Sequence, residues 1–219
     1  MASYINASTA SSTFTTSLSV TPPSGIINGD LLIAAIVINS ETDNLTGPAG
    51  WTAVDSAPVV TATQECGVWY RYYTTGMATP AWTCAGNQKA SATMVAYRGV
   101  HPSTPLIAGT RWTRSSSVYT TTATSLTTTT SNQELLAVYL TKTSSINSID
   151  GPSDMTLRGG VIVGGGGGTA SHIYAMQIPA PATTGNKIAT YDINGGNGYG
   201  ILLALNDFSG TSAVPWYRA

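Results

Sequence analysis

Two histidines, His101 and His172, two cysteines, Cys66 and Cys84, and ten acidic residues are the groups of this chain that could do chemistry. Nucleophilic catalysis by serine needs a base within hydrogen-bond reach and a third group that orients the base. No Gly-x-Ser-x-Gly elbow occurs, His101 precedes Pro102 in a connection, and His172 stands beside Tyr174 in an apparent strand. Zinc-type sites need Cys-x-x-Cys or closely spaced His ligands, and neither spacing occurs. A glycosidase needs two carboxylates flanking one cleft. The close acidic pairs, Asp150 with Asp154 and Glu41 with Asp43, fall in turns, where acids cap local backbone.

Two glycine-rich stretches invite ligand readings. Gly159–Gly168 could cradle an anion on bare backbone N–H groups, yet no Gly-Lys-Ser/Thr follows and no helix begins there. A flexible loop tip between strands explains it better. The run from Asp192 through Asn194 and Asn197 imitates a calcium loop, but the twelfth position, where a bidentate Glu belongs, is Leu203. A hairpin turn at Asn-Gly accounts for it. The expectation is a protein without catalytic residues, cofactor or metal.

The elements that carry these residues read as strands throughout. Apolar residues do not recur at helical spacing, and Gly and Pro punctuate the chain every ten residues or so. Only 9% of residues are charged, against roughly 25% in an average globular protein. Ser and Thr fill the gap, as in Thr110–Ser131, and β-branched Thr suits a pleated, half-wet surface. The net charge is −1, and the basic residues are scattered apart from Arg111 and Arg114. Nucleic acid, which needs clustered cations, is therefore not an expected partner. The longest apolar run, Leu31–Ile38, is eight residues, far below the ~20 that span a bilayer as a helix. The N-terminus has no basic and apolar signal pattern, so a soluble chain without a Sec-type leader is expected.

Turns at Pro22–Gly25, Asn28–Asp30 and Thr74–Gly76 separate strands at Leu31–Asn39, Trp51–Val54, Glu65–Tyr73, Ala81–Cys84 and Ala90–Arg98. A hairpin centred near residue 75 would set Cys66 opposite Cys84, where a disulfide is conceivable but disfavoured in a reducing cytoplasm. The plan then repeats. Glu134-Leu135-Leu136 echoes Asp30-Leu31-Leu32, and Pro152–Thr156 echoes Pro48–Thr52 at the same spacing. Further strands are expected at Glu134–Thr141, Ser171–Ile178, Lys187–Ile193 and Tyr199–Leu205.

About twelve strands exceed one comfortable open sheet. The expected fold is all-β, a jelly-roll-like or Ig-like two-sheet β-sandwich built from two similar halves. Its parts are an N-terminal arm (1–15), the sandwich (16–208, with pseudo-repeats at about 16–100 and 101–208) and an aromatic tail (209–219). Two tandem sandwiches meeting near His101-Pro102-Ser103 are the alternative, but one half alone would make a marginal core.

Five Trp and eleven Tyr against two Phe suggest surfaces both apolar and wet. Trp51, Trp69 and Trp82 are assigned to the core, while Phe208, Trp216, Tyr217 and Arg218 at the C-terminus are the candidate interaction residues. An alternative sugar-binding platform would use Trp69, Tyr70, Tyr72 and Tyr73.

The series Gly29-Asp30-Leu31-Leu32, Pro48-Ala49-Gly50-Trp51-Thr52, Tyr70-Arg71, Trp82-Thr83 and Ala96-Tyr97-Arg98-Gly99-Val100 resembles a recurring β-sandwich module. That module occurs in tail, fibre and other virion proteins of tailed bacteriophages and in some bacterial surface proteins. Glu134-Leu135-Leu136-Ala137, Met155–Arg158 and Ile201–Leu205 continue the likeness, which covers roughly residues 16–208; the Gly164–Gly168 run departs from it. The resemblance implies a non-enzymatic virion protein made in the host cytoplasm. A module with short arms is similar to capsid decoration (cement) proteins, which clamp neighbouring capsomers, often as trimers. The implied partners are the major capsid protein or other virion proteins, and a homo-oligomer, with a trimer favoured. A tail, fibre or baseplate component, or a carbohydrate-binding adhesin acting in host attachment, is the alternative.

Overall fold

The run Leu31–Ile38 is buried at every position, because it forms the middle strand of a sheet that is covered on both faces. The structure, a computed structural model, describes residues 1–55, 57–61, 63–114, 119–143, 145–192 and 196–208. No helix occurs among them. The first half contains β1 (Ser3–Ser19), β2 (Leu31–Ile38), β3 (Thr52–Ala53), β4 (Val59–Thr61), β5 (Gln64–Tyr72) and β6 (Ala81–Arg98). The second contains β7 (Leu106–Ala108), β8 (Trp112–Arg114), β9 (Thr120–Ala123), β10 (Gln133–Thr143), β11 (Ile149–Asp150), β12 (Thr156–Val163), β13 (Gly168–Ile178), β14 (Lys187–Tyr191) and β15 (Gly196–Leu205).

Each half supplies one large antiparallel sheet. The first runs β1-β6-β2-β5-β3, with β4 also on β5; the second runs β12-β13-β10-β15-β7, with β8 also on β15. The sequence repeat aligns Leu31 with Leu135, each in the central strand of its sheet, but Leu31 faces the core between the sheets and Leu135 faces outward. Leu31 lies between Tyr72 and Tyr97 as Leu135 lies between Met176 and Ala204.

Side-chain alternation then builds the layers. Leu31, Ile33, Ala35 and Val37 of β2 face Leu136, Val138 and Leu140 of β10 in a core shared by both sheets. Leu32, Ala34, Ile36 and Ile38 point the other way, onto Leu18, Val20, Leu45, Trp69 and Trp82. In the second half Leu135, Ala137 and Tyr139 point outward onto a small third sheet, β11-β14-β9. The ladder joining Leu18 to Trp82 and Thr46 to Thr83 is its counterpart in the first half. The molecule is thus an all-β sandwich whose two large sheets are each capped on the outside.

Hydroxyls bridge the two sheets at one end of the shared core. Ser91 Oγ donates to the carbonyl of Thr169 at 2.9 Å, Thr93 Oγ1 to that of Ser171 at 2.7 Å, and Ser171 Oγ to that of Ala35 at 2.8 Å. Ser91 Oγ also lies 2.7 Å from Thr169 Oγ1, and all four of these hydroxyl side chains are fully buried, so each needs such a partner. Gly159 on β12 permits this close approach, since a Cβ there would lie 2.9 Å from Thr93 Cγ2 and 3.0 Å from Ala7 Cβ.

Several expectations are corrected. The residues read as an N-terminal arm are strand, because β1 pairs with β6 from Ser3 to Ser19, with three register shifts. Its Ser/Thr pattern hides the strand, since among the described residues of this stretch Ala2 and Leu18 are the buried apolar anchors. The Cys66–Cys84 hairpin does not form. The apolar β2 inserts between β5 and β6, and both cysteines are free thiols. Ala81–Cys84 and Ala90–Arg98 are one continuous strand. Gly159 and Gly160 belong to β12 rather than to a loop tip, and the turn itself is residues 164–167. Asn194 of the imitation calcium loop and the tail 209–219 lie outside the described residues.

Candidate functional site

Both histidines and several of the acidic residues take part in holding the fold. His101 Nδ1 accepts from the amides of Thr104 at 3.2 Å and Ser103 at 3.3 Å, capping the turn that links the halves. His172 is buried on β13 with its ring against Gly160, and burial pushes its pKa down to about 4. Its Nδ1 lies 3.4 Å from Tyr174 Oη, which itself donates to the carbonyl of Ile149 at 2.9 Å. Asp154 pairs with Lys187, and Asp43 accepts from Gln88 Nε2 at 2.6 Å. Among the described residues no group of three or more His, Cys, Asp or Glu could hold a metal ion.

Two buried carboxylates stand at the entries to the two central strands. Asp30, just before β2, accepts the Ile27 amide at 2.7 Å and takes both arms of Arg98, at 2.9 and 2.7 Å. Glu134, at the start of β10, accepts from Tyr97 Oη at 3.2 Å, from Arg158 Nη2 at 3.4 Å and from Gln177 Nε2. Burial raises the Glu134 pKa against the opposing pull of Arg158. Arg158 also sits over the Tyr4 ring, 4.7 Å from its centroid, so this network ties β1, β6, β10, β12 and β13 together.

The aromatic residues proposed as a sugar platform do not share a face. Trp69 points outward and is 4% exposed, Tyr70 and Tyr72 turn inward against the shared core, and Tyr73 packs on the outer cluster. The two-residue period of a strand makes this unavoidable for consecutive positions. Tyr72 Oη donates to the carbonyl of His101 at 2.5 Å.

Of the candidate interaction residues, Phe208 is described and Trp216, Tyr217 and Arg218 are not. The Phe208 amide donates to the Gly99 carbonyl at 2.9 Å, and its ring lies 6.1 Å from that of His101. Asp207 next to it pairs with the N-terminal ammonium at 3.3 Å. The N-terminus, the link between the halves and the start of the tail therefore meet at one end of the sandwich.

Two surface features were not found from the sequence. On one flank β1 and β12, edge strands of the two large sheets, run beside each other, and no described strand pairs with their outer sides. On the outer face of the first sheet, Pro48, Ala49, Trp51, Arg71, Met77 and Pro80 line a cleft of about 320 Å³. Half-buried Trp51 meets Trp82 edge to face at 5.1 Å, and Trp82 meets Trp69 at 6.1 Å. Arg71 Nη1 donates to the Ala49 carbonyl at 2.9 Å, with its guanidinium packed on Gly50. The turn Pro48–Gly50 before a two-residue strand was the available signal, since so short an edge strand leaves its first aromatic half covered. No family model matches the chain, and neither a curated protein nor a solved structure matches it.

Proposed function

We propose that this chain is a non-enzymatic structural protein of a tailed-bacteriophage virion, a capsid decoration (cement) protein that stabilises the head. The flank formed by β1 and β12 is the observation that carries the reading. Over its seventeen residues β1 contains no Asp, Glu, Lys, Arg or Pro. Exposed sheet edges are normally blunted by such residues, and an edge without them suits a surface that is covered in use. The three register shifts in β1 limit open-ended pairing, which favours a closed assembly over a fibre.

The motif resemblance supports the same reading, because its residues serve the fold. Asp30 and Arg98 clamp the entry to β2, and Trp82 fills the outer core. The histidines and acids described above are likewise spent on turns, ion pairs and packing. The partners in this proposal are the major capsid protein and further copies of this chain, as a trimer, with β1, β12 and the tail after Phe208 as contact regions.

The test adds purified protein to undecorated heads and measures binding together with the melting temperature of the particle. Saturable binding at symmetry-related sites with a raised melting temperature is expected, and removing residues 209–219 should weaken it. Localisation of the protein to the tail, fibre or baseplate would overturn the head assignment. Absence of the protein from purified particles would overturn the virion reading altogether.

A further inference from the structure

We infer that the cleft between Trp51 and Arg71 is a binding site for a pyranose sugar bearing a carboxylate, of the uronic or sialic acid class. The sequence builds this cleft locally. Thr52 pairs with Tyr70, and extending that register by one residue sets Trp51 opposite Arg71 on the outer face. Trp51 is held from behind by Trp82, itself braced by Trp69, so the indole is a backed wall. Gly50, at φ +79°, leaves room for the guanidinium, since a Cβ there would approach Arg71 Nη1 to 2.7 Å. The arginine is thereby fixed before any ligand arrives.

The chemistry of the lining selects the ligand. A guanidinium carries five N–H donors, and among the described residues Arg71 makes one bond, to the Ala49 carbonyl. Arg71 forms no ion pair among the described residues, and no carboxylate lines the cleft. A fixed, unpaired arginine fork complements a carboxylate. The indole beside it complements an apolar face, and the C–H face of a pyranose supplies one next to polar edges. A volume of about 320 Å³ lies at the low end of small-molecule sites, which suits a mono- or disaccharide. This inference goes beyond the assembly role and stands or falls without it.

Heteronuclear NMR of the full chain, following the Trp51 indole N–H, tests the inference with methyl β-D-glucuronide, methyl β-D-glucoside and acetate. Saturable shifts are expected with the glucuronide, with the glucoside at least about tenfold weaker, as for loss of a charge-assisted fork. Arg71→Gln should bring the two glycosides to equal, weak affinity while leaving the melting temperature in place. Trp51→Phe, which keeps a ring against Trp82, should weaken both. No saturable shift from the glucuronide, equal binding of the two glycosides by the native protein, or acetate matching the glucuronide would each overturn the proposal.

Discussion

Thr93 Oγ1 donates to the main-chain carbonyl of Ser171 at 2.7 Å, between strands of different halves. Ser171 Oγ returns a bond to the carbonyl of Ala35 at 2.8 Å, so the two sheets are joined by side chain and backbone in both directions. Together with a core drawn from both sheets, this makes the halves parts of one folding unit.

Unfolding is accordingly expected to be one transition. Three of the five tryptophans, Trp51, Trp69 and Trp82, weight intrinsic fluorescence towards the first half, and far-ultraviolet circular dichroism reports on both. The two signals should coincide in a urea titration, and separate midpoints would contradict a shared core. Thr93→Val removes one buried hydrogen bond at constant shape. It should lower stability by about 1 kcal/mol without splitting the transition.

Glycines in the same region should differ sharply in their tolerance of a methyl group. At Gly159 a Cβ would press on Thr93 and Ala7 between the sheets, so Gly159→Ala is expected to cost roughly 1–3 kcal/mol by overpacking. At Gly166 nothing lies within 4 Å of the added atom, and Gly166→Ala should change stability by less than about 0.5 kcal/mol. Denaturant midpoints of the two variants check this, and equal losses would show that β12 does not pack as described.

Strands β2 and β10 were legible because burial on both faces leaves a continuous apolar signature. The sequence match of Asp30-Leu31 to Glu134-Leu135 did not extend to the faces, since Leu31 points into the shared core and Leu135 away from it. Strand order was not legible. Which strand lies beside which is a non-local property, and it undid the hairpin that would have paired Cys66 with Cys84. The bridging residues Ser91, Thr93, Thr169 and Ser171 look like surface residues in a chain rich in Ser and Thr. Only their position opposite a second sheet reveals them as buried. Trp51, expected in the core, is only half-buried for a related reason. The sequence shows an aromatic after a turn, but not that the covering layer stops short of it.

The thiols should react unequally. Cys66 is fully buried, and burial drives its pKa far up; Cys84 is half-buried, and its pKa is raised by burial and then by Asp43 and Glu65. Thiolate is the reactive form, so both should be slow in the native protein, with Cys84 the faster. A chromogenic disulfide reagent at pH 8 should count two thiols in denaturant. In Cys84→Ser the native protein should show no reaction faster than unfolding, and rapid labelling of Cys66 would contradict its placement.

His172 should make the fold sensitive to mild acid. Its folded pKa is about 4, against an ordinary value of 6.5, because burial disfavours the imidazolium. Below pH 6.5 the unfolded chain therefore takes up a proton that the folded chain refuses. Stability is complete above about pH 6.5 and falls as the pH drops towards about 4, by about 3 kcal/mol for the whole difference. The direction is opposite to that for Glu134, whose raised pKa favours folding in acid and opposes it as the carboxylate forms. His172→Phe keeps a ring against Gly160 and removes the titrating group. Urea midpoints measured from pH 7 to pH 4 should fall steeply for the native chain and much less for the variant. Parallel curves would place the acid sensitivity elsewhere and His172 in contact with solvent.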